Sequence, residues 1–251
     1  MSLPDRPQLS IIVPTFQESL NLPSLAAAIS AALAQVIPAW ELIVIDDDSR
    51  DATVEVCETL HAKGVPITLV VRTGERGLAT AVLQGFVHAR APVLVVMDAD
   101  LSHPAAAIPK LYRAITDGAE FAIGSRYTSG GSTDDRWTVY RWLNSKVASL
   151  LARPLASLSD PMSGFFALPR SLLQQCASLT PVGYKIALEI LVKSRAKNIR
   201  EIPIHFRSRQ YGKSKLTLGQ QLLYLRHLGS LYRYLLTRRL GVHRSRHWCK
   251  R

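Results

Sequence analysis

Two aspartates one residue apart, Asp98 and Asp100, follow an apolar run at residues 92–97. A short apolar run bounded by turn residues is typical of a buried strand, and open α/β sheets bind ligands at the carboxyl ends of their strands. Carboxylate oxygens suit Mg²⁺ or Mn²⁺, which keep water and substrate phosphates as further ligands. The pair therefore predicts a metal site for a nucleotide diphosphate, although such pairs also cap helices or lie in solvated turns.

A second acidic turn, Asp46-Asp47-Asp48, follows a largely apolar run at residues 41–46. An aspartate in this position can accept hydrogen bonds from a nucleobase or a ribose hydroxyl. Ser49 or Asp51 alone would cap the following helix, so three consecutive carboxylates favour a binding role. Neither a Gly-x-Gly-x-x-Gly motif after the first strand nor a Walker-type motif occurs, which argues against dinucleotide-binding and P-loop proteins.

Alternating strands and helices must position these two turns. The pattern predicts strands at residues 9–13, 41–46, 66–71, 92–97 and 120–124, with helices beginning near residues 21, 51, 77 and 104. This order predicts a single α/β domain with a mostly parallel mixed sheet and helices on both faces. Beyond residue 126 we expect a flexible loop at 129–135, strands near 164–168 and 201–206, and helices at 137–152, 186–195 and 217–238.

Charge is distributed unevenly along the 251 residues, whose formal net charge is +12. Residues 193–251 contain sixteen Lys and Arg and one acid, Glu201, whereas residues 1–192 contain fifteen basic and eighteen acidic side chains. The basic end predicts a polyanionic partner, such as phospholipid headgroups, nucleic acid or a lipid phosphate, unless it is only a solvated face. The three cysteines, Cys57, Cys176 and Cys249, are far apart, which argues against a disulfide framework or a zinc site.

The last predicted helix alternates leucines and tyrosines with arginines, the composition of an interfacial helix on anionic lipid. Its longest uncharged stretch is far shorter than a membrane span, and packing of its leucines against the rest of the chain is the alternative. We therefore expect a catalytic domain at residues 1–215 and a basic amphipathic helix and tail at 216–251. The chain begins without a signal-peptide pattern, so we expect a cytoplasmic protein, peripheral on the cytoplasmic face of a membrane.

Six motifs in chain order resemble those of the dolichol-phosphate (polyprenol-phosphate) mannosyltransferases, which are inverting family 2 glycosyltransferases with a GT-A fold. Two of them, Asp-Pro-Met-Ser-Gly-Phe-Phe and Gly-x-Ser-Lys-Leu, are far more specific than the aspartate pair. The resemblance covers the chain from about residue 9 to residue 216. The motifs lie at residues 13–18, 46–49, 97–104, 124–127, 160–168 and 209–216.

The resemblance implies a role for individual residues. Asp98 and Asp100 would bind Mg²⁺ or Mn²⁺, and because many relatives have glutamine at the position of Ser102, the third ligand is either that serine or water. The side chains expected to handle phosphates and support catalysis, together with Asp100, are Arg126, Arg209 and Lys215. The residues expected to hold the donor nucleotide are Pro14, Phe16, Glu18, Ile45, Asp47, Asp98, Asp100, Arg209 and Lys215.

The expected reaction moves a hexose, mannose from GDP-mannose, onto a polyprenyl phosphate. A phosphate monoester is already an oxyanion at neutral pH, so positioning and charge stabilisation suffice and no general base is needed. His103 is the histidine beside the metal site, and a structural role is expected for it.

Several alternatives stay open. UDP-glucose or another sugar nucleotide could be the donor, and the expected partners are an anionic membrane surface and a small membrane protein. A nucleic-acid-binding protein is disfavoured because no recognised module with stacking aromatics is present. An inactive interaction subunit is disfavoured because both metal aspartates are retained.

Overall fold

The computed structural model describes residues 6–134, 147–176, 179–180, 182–183, 185–209 and 218–239. Seven strands form the main sheet in this described part, and two short strands form a second sheet. The strands are β1 (Leu9–Thr15), β2 (Trp40–Asp46), β3 (Ile67–Val71), β4 (Val93–Val96), β5 (Phe121–Ser125), β6 (Ser132–Thr133), β7 (Phe166–Pro169), β8 (Ile199–Pro203) and β9 (His205–Phe206).

Helices follow most of the strands, as the alternating pattern predicts. Residues 147–152 are also helical, and the earlier part of the helix predicted at 137–152 lies outside the described residues. A short 3-10 turn, Ala105–Ala107, precedes α4. The helices are α1 (Leu22–Leu33), α2 (Thr53–Ala62), α3 (Leu78–His88), α4 (Ile108–Thr116), α5 (Arg170–Gln175), α6 (Ile186–Ser194) and α7 (Leu218–Arg239).

The main sheet has the order β3-β2-β1-β4-β7-β5-β8. β1 runs parallel to β2 and β4, with Thr15 opposite Asp46 and Ile12 opposite Val96. β7 is antiparallel to both β4 and β5, so the sheet is mixed but mostly parallel. The predicted sheet is therefore confirmed, and its parallel strands place the turns after β1, β2 and β4 at one edge.

Side chains from each strand pack on both faces of the sheet. Ile11 and Val13 belong to one buried cluster with α1 and α4, whereas Ile12 belongs to the other with α3. A Cβ at Gly85 of α3 would lie 2.3 Å from Cγ2 of Ile12, so only glycine permits this close approach. Helices therefore cover both faces, as predicted.

The prediction of a loop at 129–135 is partly wrong. The short strand β6 lies inside this range and pairs in parallel with β9. Ser132 and His205 are opposite each other in this pairing, and their side chains hydrogen bond at 2.8 Å. Asp134 accepts a further bond of 2.9 Å from the His205 ring. These polar contacts between distant segments order a stretch whose composition indicates a loop.

One side of α7 is part of the hydrophobic core. Tyr224, Leu228 and Leu231 are buried there, and the hydroxyl of Tyr224 donates a 2.7 Å hydrogen bond to the carbonyl of Ala148. Leu222 on the opposite side is exposed. Packing against the rest of the chain therefore accounts for one face of this helix and leaves the other face to solvent.

A buried cluster of ionisable residues also connects α6 to α7. The Lys193 Nζ lies 2.6 Å from a Glu189 carboxylate oxygen, and the His227 ring lies 3.6 Å from the other oxygen.

The expected boundary between residues 215 and 216 falls in a segment outside the described residues. None of the described helices combines the length and hydrophobicity that crossing a bilayer requires.

Candidate active site

Three turns at the carboxyl edge of the sheet contain a strained residue. Gln17 after β1, Asp48 after β2 and Leu101 after β4 have φ values of 59°, 54° and 62°. Non-glycine residues adopt this left-handed region at a cost of about 1–3 kcal/mol and are concentrated at functional sites. The strain thus marks the same edge of the sheet as the two acidic turns.

Asp100 is buried and has both carboxylate oxygens engaged by the chain. One oxygen accepts hydrogen bonds from the backbone N–H and the hydroxyl of Ser102, at 3.1 and 2.5 Å. The other oxygen lies 2.8 Å from Nε of Arg209. The structure thus brings together three residues that the sequence places in the site, and it places Ser102 where it orients Asp100.

Asp98 is more accessible, with one-third (33%) of its side chain exposed. Its backbone N–H donates a 3.0 Å hydrogen bond to Nδ1 of His103, whose ring stacks on Phe165 at 5.0 Å and meets Phe206 edge-on at 5.4 Å. Burial lowers the pKa of His103 below its ordinary value, against the opposing effect of Asp98 and Asp100. A neutral His103 therefore supports the turn, in line with its expected structural role.

The donor set of this turn fits a hard divalent cation. The described residues contain no group of three or more His, Cys, Asp or Glu side chains that could hold a metal. A site built on Asp98 and Asp100 would therefore have two carboxylates, and Mg²⁺ in particular is commonly bound by one or two carboxylates with water and phosphate oxygens.

The turn after β2 has a more structural arrangement than the sequence predicts. One oxygen of Asp47 accepts a 2.8 Å hydrogen bond from Nε of Arg72, and the other accepts a 2.8 Å bond from the N–H of Gly77. Asp46 accepts bonds from Thr15 and Ser49. These two aspartates tie β1, β2 and the start of α3 together, which shapes the edge of the sheet.

The other residues expected at the donor nucleotide surround this edge. The guanidinium of Arg76 lies 4.7 Å from the ring centre of Phe16, and Glu18 accepts a 2.6 Å hydrogen bond from the Asn21 amide. Pro14 is half-buried at the end of β1. The side chain of Ile45 is fully buried, so only its main chain could meet a ligand.

Arg126 lies beside the turn in a tightly bonded pair with Asp160. Its Nε and Nη2 donate to the two carboxylate oxygens at 2.7 and 2.8 Å, and its backbone N–H donates at 3.1 Å. Burial alone would raise the pKa of Asp160, but the bonds and charge of Arg126 hold it below its ordinary value. Lys215, the other expected phosphate contact, lies outside the described residues.

Lys185 belongs to the same region, although it lies outside all six motifs. Its Nζ donates a hydrogen bond to the carbonyl of Met162, and its charge interacts with Asp98 and Asp160. Burial, together with the charge of Arg126, lowers the pKa of Lys185 to about 8. The signal in the sequence is a lysine directly before an apolar helix.

The mostly parallel α/β domain, with its Asp-Ala-Asp turn at the strand ends, has a GT-A-like fold. Residues 10–176 match the family model for glycosyl transferase family 2. The chain therefore belongs to this family and is a glycosyltransferase, and the resemblance noted in its motifs is confirmed.

Two relatives are similar over most of the chain, and both are dolichol-phosphate mannosyltransferases. The one from Mycosarcoma maydis is 42% identical over 91% of this chain and 80% of its own length. The one from Saccharomyces cerevisiae is 41% identical over 90% of this chain and 87% of its own length. A glucosyl-3-phosphoglycerate synthase from Mycobacterium tuberculosis, solved with Mn²⁺, UDP-glucose and phosphoglyceric acid, shares the fold at a TM-score of 0.62 and 20% identity, covering 96% of this chain and 82% of its own.

Proposed function

We propose that this glycosyltransferase moves mannose from GDP-mannose onto a polyprenyl phosphate, with inversion at the sugar carbon. The observation that carries the proposal is the 41–42% identity to dolichol-phosphate mannosyltransferases along about nine-tenths of the chain. The proposal is supported by the site, where two carboxylates and several cations converge at the strand ends. Such an arrangement suits a reaction between two phosphate-containing molecules.

The acceptor phosphate needs no general base, because it is already an anion at neutral pH. The chain therefore has to position two substrates and offset their negative charge. Arg209 is suited to the diphosphate of the donor, since its planar fork matches phosphate oxygens and its present partner, Asp100, lies at the edge of the sheet. Its side chain is 30% exposed, so a change of partner requires little desolvation.

Asp98 and Asp100 would hold Mg²⁺ or Mn²⁺, which supplies positive charge to the departing diphosphate when it is bound. The solved Mycobacterium tuberculosis enzyme contains Mn²⁺, in agreement with this assignment. Once Asp100 is engaged in that way, Arg209 is released for phosphate. Ser102 keeps Asp100 oriented in both situations, through hydrogen bonds to its first oxygen.

The donor nucleotide would lie along the turns after β1 and β2. Phe16 and Glu18 are half-buried at this edge, and Asp47 holds the nearby backbone of Gly77 through a hydrogen bond. We assign Pro14 and the main chain of Ile45 to the same surface. Lys215 is proposed as a second phosphate contact beside Arg209.

The exposed face of α7 would contact an anionic membrane surface. Leu222, Leu225 and Leu236 are exposed, and Arg226 and Arg233 are exposed at the helical spacing that places them on the same side. Leu150, in the neighbouring helical segment, is exposed as well. Apolar side chains bordered by arginines suit a peripheral contact at the cytoplasmic face, where the acceptor's phosphate lies. A small membrane protein is the alternative occupant, and residues 216–251 would form this membrane-directed extension.

A direct transfer assay tests the proposal. The full chain is incubated with Mn²⁺, a prenyl phosphate and either GDP-mannose, GDP-glucose, UDP-glucose or UDP-mannose, and lipid-linked sugar is separated by chromatography. We expect mannosyl product from GDP-mannose in clear preference to the others. Product from UDP-glucose would replace the donor assignment, and absence of product from every donor would refute prenyl-phosphate transfer.

A further inference from the structure

We infer that Lys185 binds the phosphate of the acceptor and holds it on the side of the reacting sugar carbon opposite the leaving diphosphate. The inference rests on the proposed function, because it assigns a residue to the second of the two anions in that reaction. None of the motifs that indicate the reaction includes this lysine.

The position of Lys185 connects α6 to the segment that borders the acidic turn. Lys185 is the residue directly before α6, and its Nζ donates a hydrogen bond to the carbonyl oxygen of Met162. Met162 belongs to the same short segment as Asp160 and Gly164. The lysine side chain therefore reaches the segment 160–165, in which Gly164 lies beside Asp98.

Charged groups around Lys185 belong to the site rather than to a remote surface. Its ammonium interacts electrostatically with Asp98, Asp160 and Arg126. Arg209, in contrast, reaches Asp100 from the segment that follows β9. Arg209 thus pairs with Asp100, whereas the charge of Lys185 acts on Asp98 from a different part of the chain.

Two separated cations match the charge requirement of the proposed transfer. Inversion requires the incoming phosphate and the departing diphosphate to be on opposite sides of the sugar carbon. Two anions brought this close repel each other, more strongly in a partly buried site than in water. Arg209 would offset the charge of the diphosphate, and Lys185 would offset that of the acceptor. Phosphate oxygens are strong acceptors for an ammonium, and such charge-assisted bonds are stronger than a bond to a carbonyl such as that of Met162.

Gly164 lies directly beside Asp98. A Cβ at this position would be 3.6 and 3.8 Å from the two carboxylate oxygens of Asp98, which is ordinary van der Waals contact. The segment that Lys185 contacts therefore adjoins the Asp98 carboxylate.

A purely structural lysine, which only fastens residues 160–165 to α6, would have a different signature. Loss of that fastening would reduce thermal stability and donor binding together, since the segment contains the partner of Arg126, Asp160. Loss of an acceptor contact would instead raise the KM for the acceptor and leave the free enzyme's affinity for GDP unchanged. The two roles can therefore be separated by measurement.

The experiment compares the full chain with Lys185→Met, Lys185→Arg and a control, Lys110→Met, which removes an equal charge from an exposed position on α4. Transfer from saturating GDP-mannose to geranyl phosphate gives kcat and KM for the acceptor. Calorimetric titration with GDP in the presence of Mn²⁺ gives donor-site affinity, and thermal unfolding gives Tm. Inorganic phosphate is added as a competitor of the acceptor.

We expect Lys185→Met to raise the KM for geranyl phosphate and thereby lower kcat/KM about 10- to 100-fold, the scale of one charge-assisted hydrogen bond. The GDP affinity of Lys185→Met should stay within about twofold of the wild-type value. Lys185→Arg should recover part of the lost kcat/KM. Inorganic phosphate should inhibit the wild-type chain more strongly than Lys185→Met. An unchanged acceptor KM in Lys185→Met would overturn this inference and leave the proposed function intact. A fall in both GDP affinity and Tm in that variant would do the same. A wild-type chain that glycosylates no prenyl phosphate would overturn both the proposed function and this inference.

Discussion

Two arginine–aspartate pairs border the candidate site and differ in how deeply they are buried. Arg126 donates three hydrogen bonds to Asp160, and their side chains are 9% and 0% exposed. Arg209 approaches Asp100 through Nε at 2.8 Å, with its own side chain 30% exposed. A buried pair is costly to break because it leaves a charge without a partner, whereas a partly exposed pair is separated more easily.

This difference separates two uses of the same residue types. The family resemblance implies a phosphate contact for both arginines. In the structure the fork of Arg126 already binds a carboxylate, so we infer that Arg126 is a positioning residue for the site. Arg209 is the arginine that we expect to exchange Asp100 for phosphate.

The comparison is tested most severely by giving both aspartates the same substitution. Asp100→Asn should reduce mannosyl transfer about a thousandfold, because it would weaken the proposed metal site and a bound metal contributes several kcal/mol. Its Tm should change little, since Ser102 can still hydrogen bond to the side chain. Transfer rates at saturating Mn²⁺ and thermal unfolding are the measurements. Near-normal turnover in Asp100→Asn would show that this aspartate binds no essential metal.

Asp160→Asn should have the opposite effect, on stability first. Neutralising the carboxylate takes away the ion-pair partner of the buried Arg126, and we expect a loss of about 3 kcal/mol in the free energy of unfolding. Denaturant unfolding measures this loss, with Arg209→Met as the control that should change stability by less than about 1 kcal/mol. Similar losses in both variants would remove the distinction between the pairs.

Acid titration sharpens the same contrast. The pKa of the Asp160 carboxyl is held below its ordinary value in the folded protein. Its contribution to stability is therefore fully present above the pKa that this carboxyl has in the unfolded chain, about 3.9. The contribution is lost as the pH falls through the lower pKa of the folded state. Wild-type stability should therefore fall more steeply in this acid range than that of Asp160→Asn. Parallel curves for the two proteins would contradict the assignment.

The comparison extends, with a smaller effect, to arginines exposed on α7. Replacing Arg226 and Arg233 by Gln should weaken binding to vesicles containing phosphatidylglycerol about fivefold per residue, since each contributes about 1 kcal/mol near an anionic surface. The measure is vesicle flotation of each single variant at low and high salt, with Arg113→Gln on α4 as the control for the loss of one charge. Vesicle binding that is unchanged by these substitutions and by salt would favour a protein partner for this face.

The fold could be predicted from the sequence because the apolar runs of buried strands alternate along the chain with helical segments. The same reasoning predicts that Asp98 and Asp100 lie at the carboxyl edge of the sheet, where the structure has them. It could not predict pairings such as Arg126 with Asp160, 34 residues away, because three-dimensional packing decides them. Asp47 shows the same limit: its sequence position indicates a ligand contact, whereas the structure shows bonds to Arg72, 25 residues later.

Lys185 and β6 were missed for related physical reasons. A lysine before an apolar helix has no distinctive pattern, and its meaning depends on the nearby Asp98 and Asp160. The short strand β6 exists because it pairs with β9, more than seventy residues later. Local composition predicts elements that bury their own side chains, but it does not predict elements that need a distant partner.

The exchange of Arg209 can be measured directly as Mn²⁺ affinity by paramagnetic resonance titration, with and without GDP. Arg207→Met serves as the control, because it removes an equal charge two residues away. If Arg209 occupies the metal's carboxylate, Arg209→Met should bind Mn²⁺ about fivefold more tightly than the wild type without GDP. GDP should then raise Mn²⁺ affinity more in the wild type than in Arg209→Met. Equal Mn²⁺ affinities in Arg209→Met and the wild type, with an equal effect of GDP, would contradict the exchange.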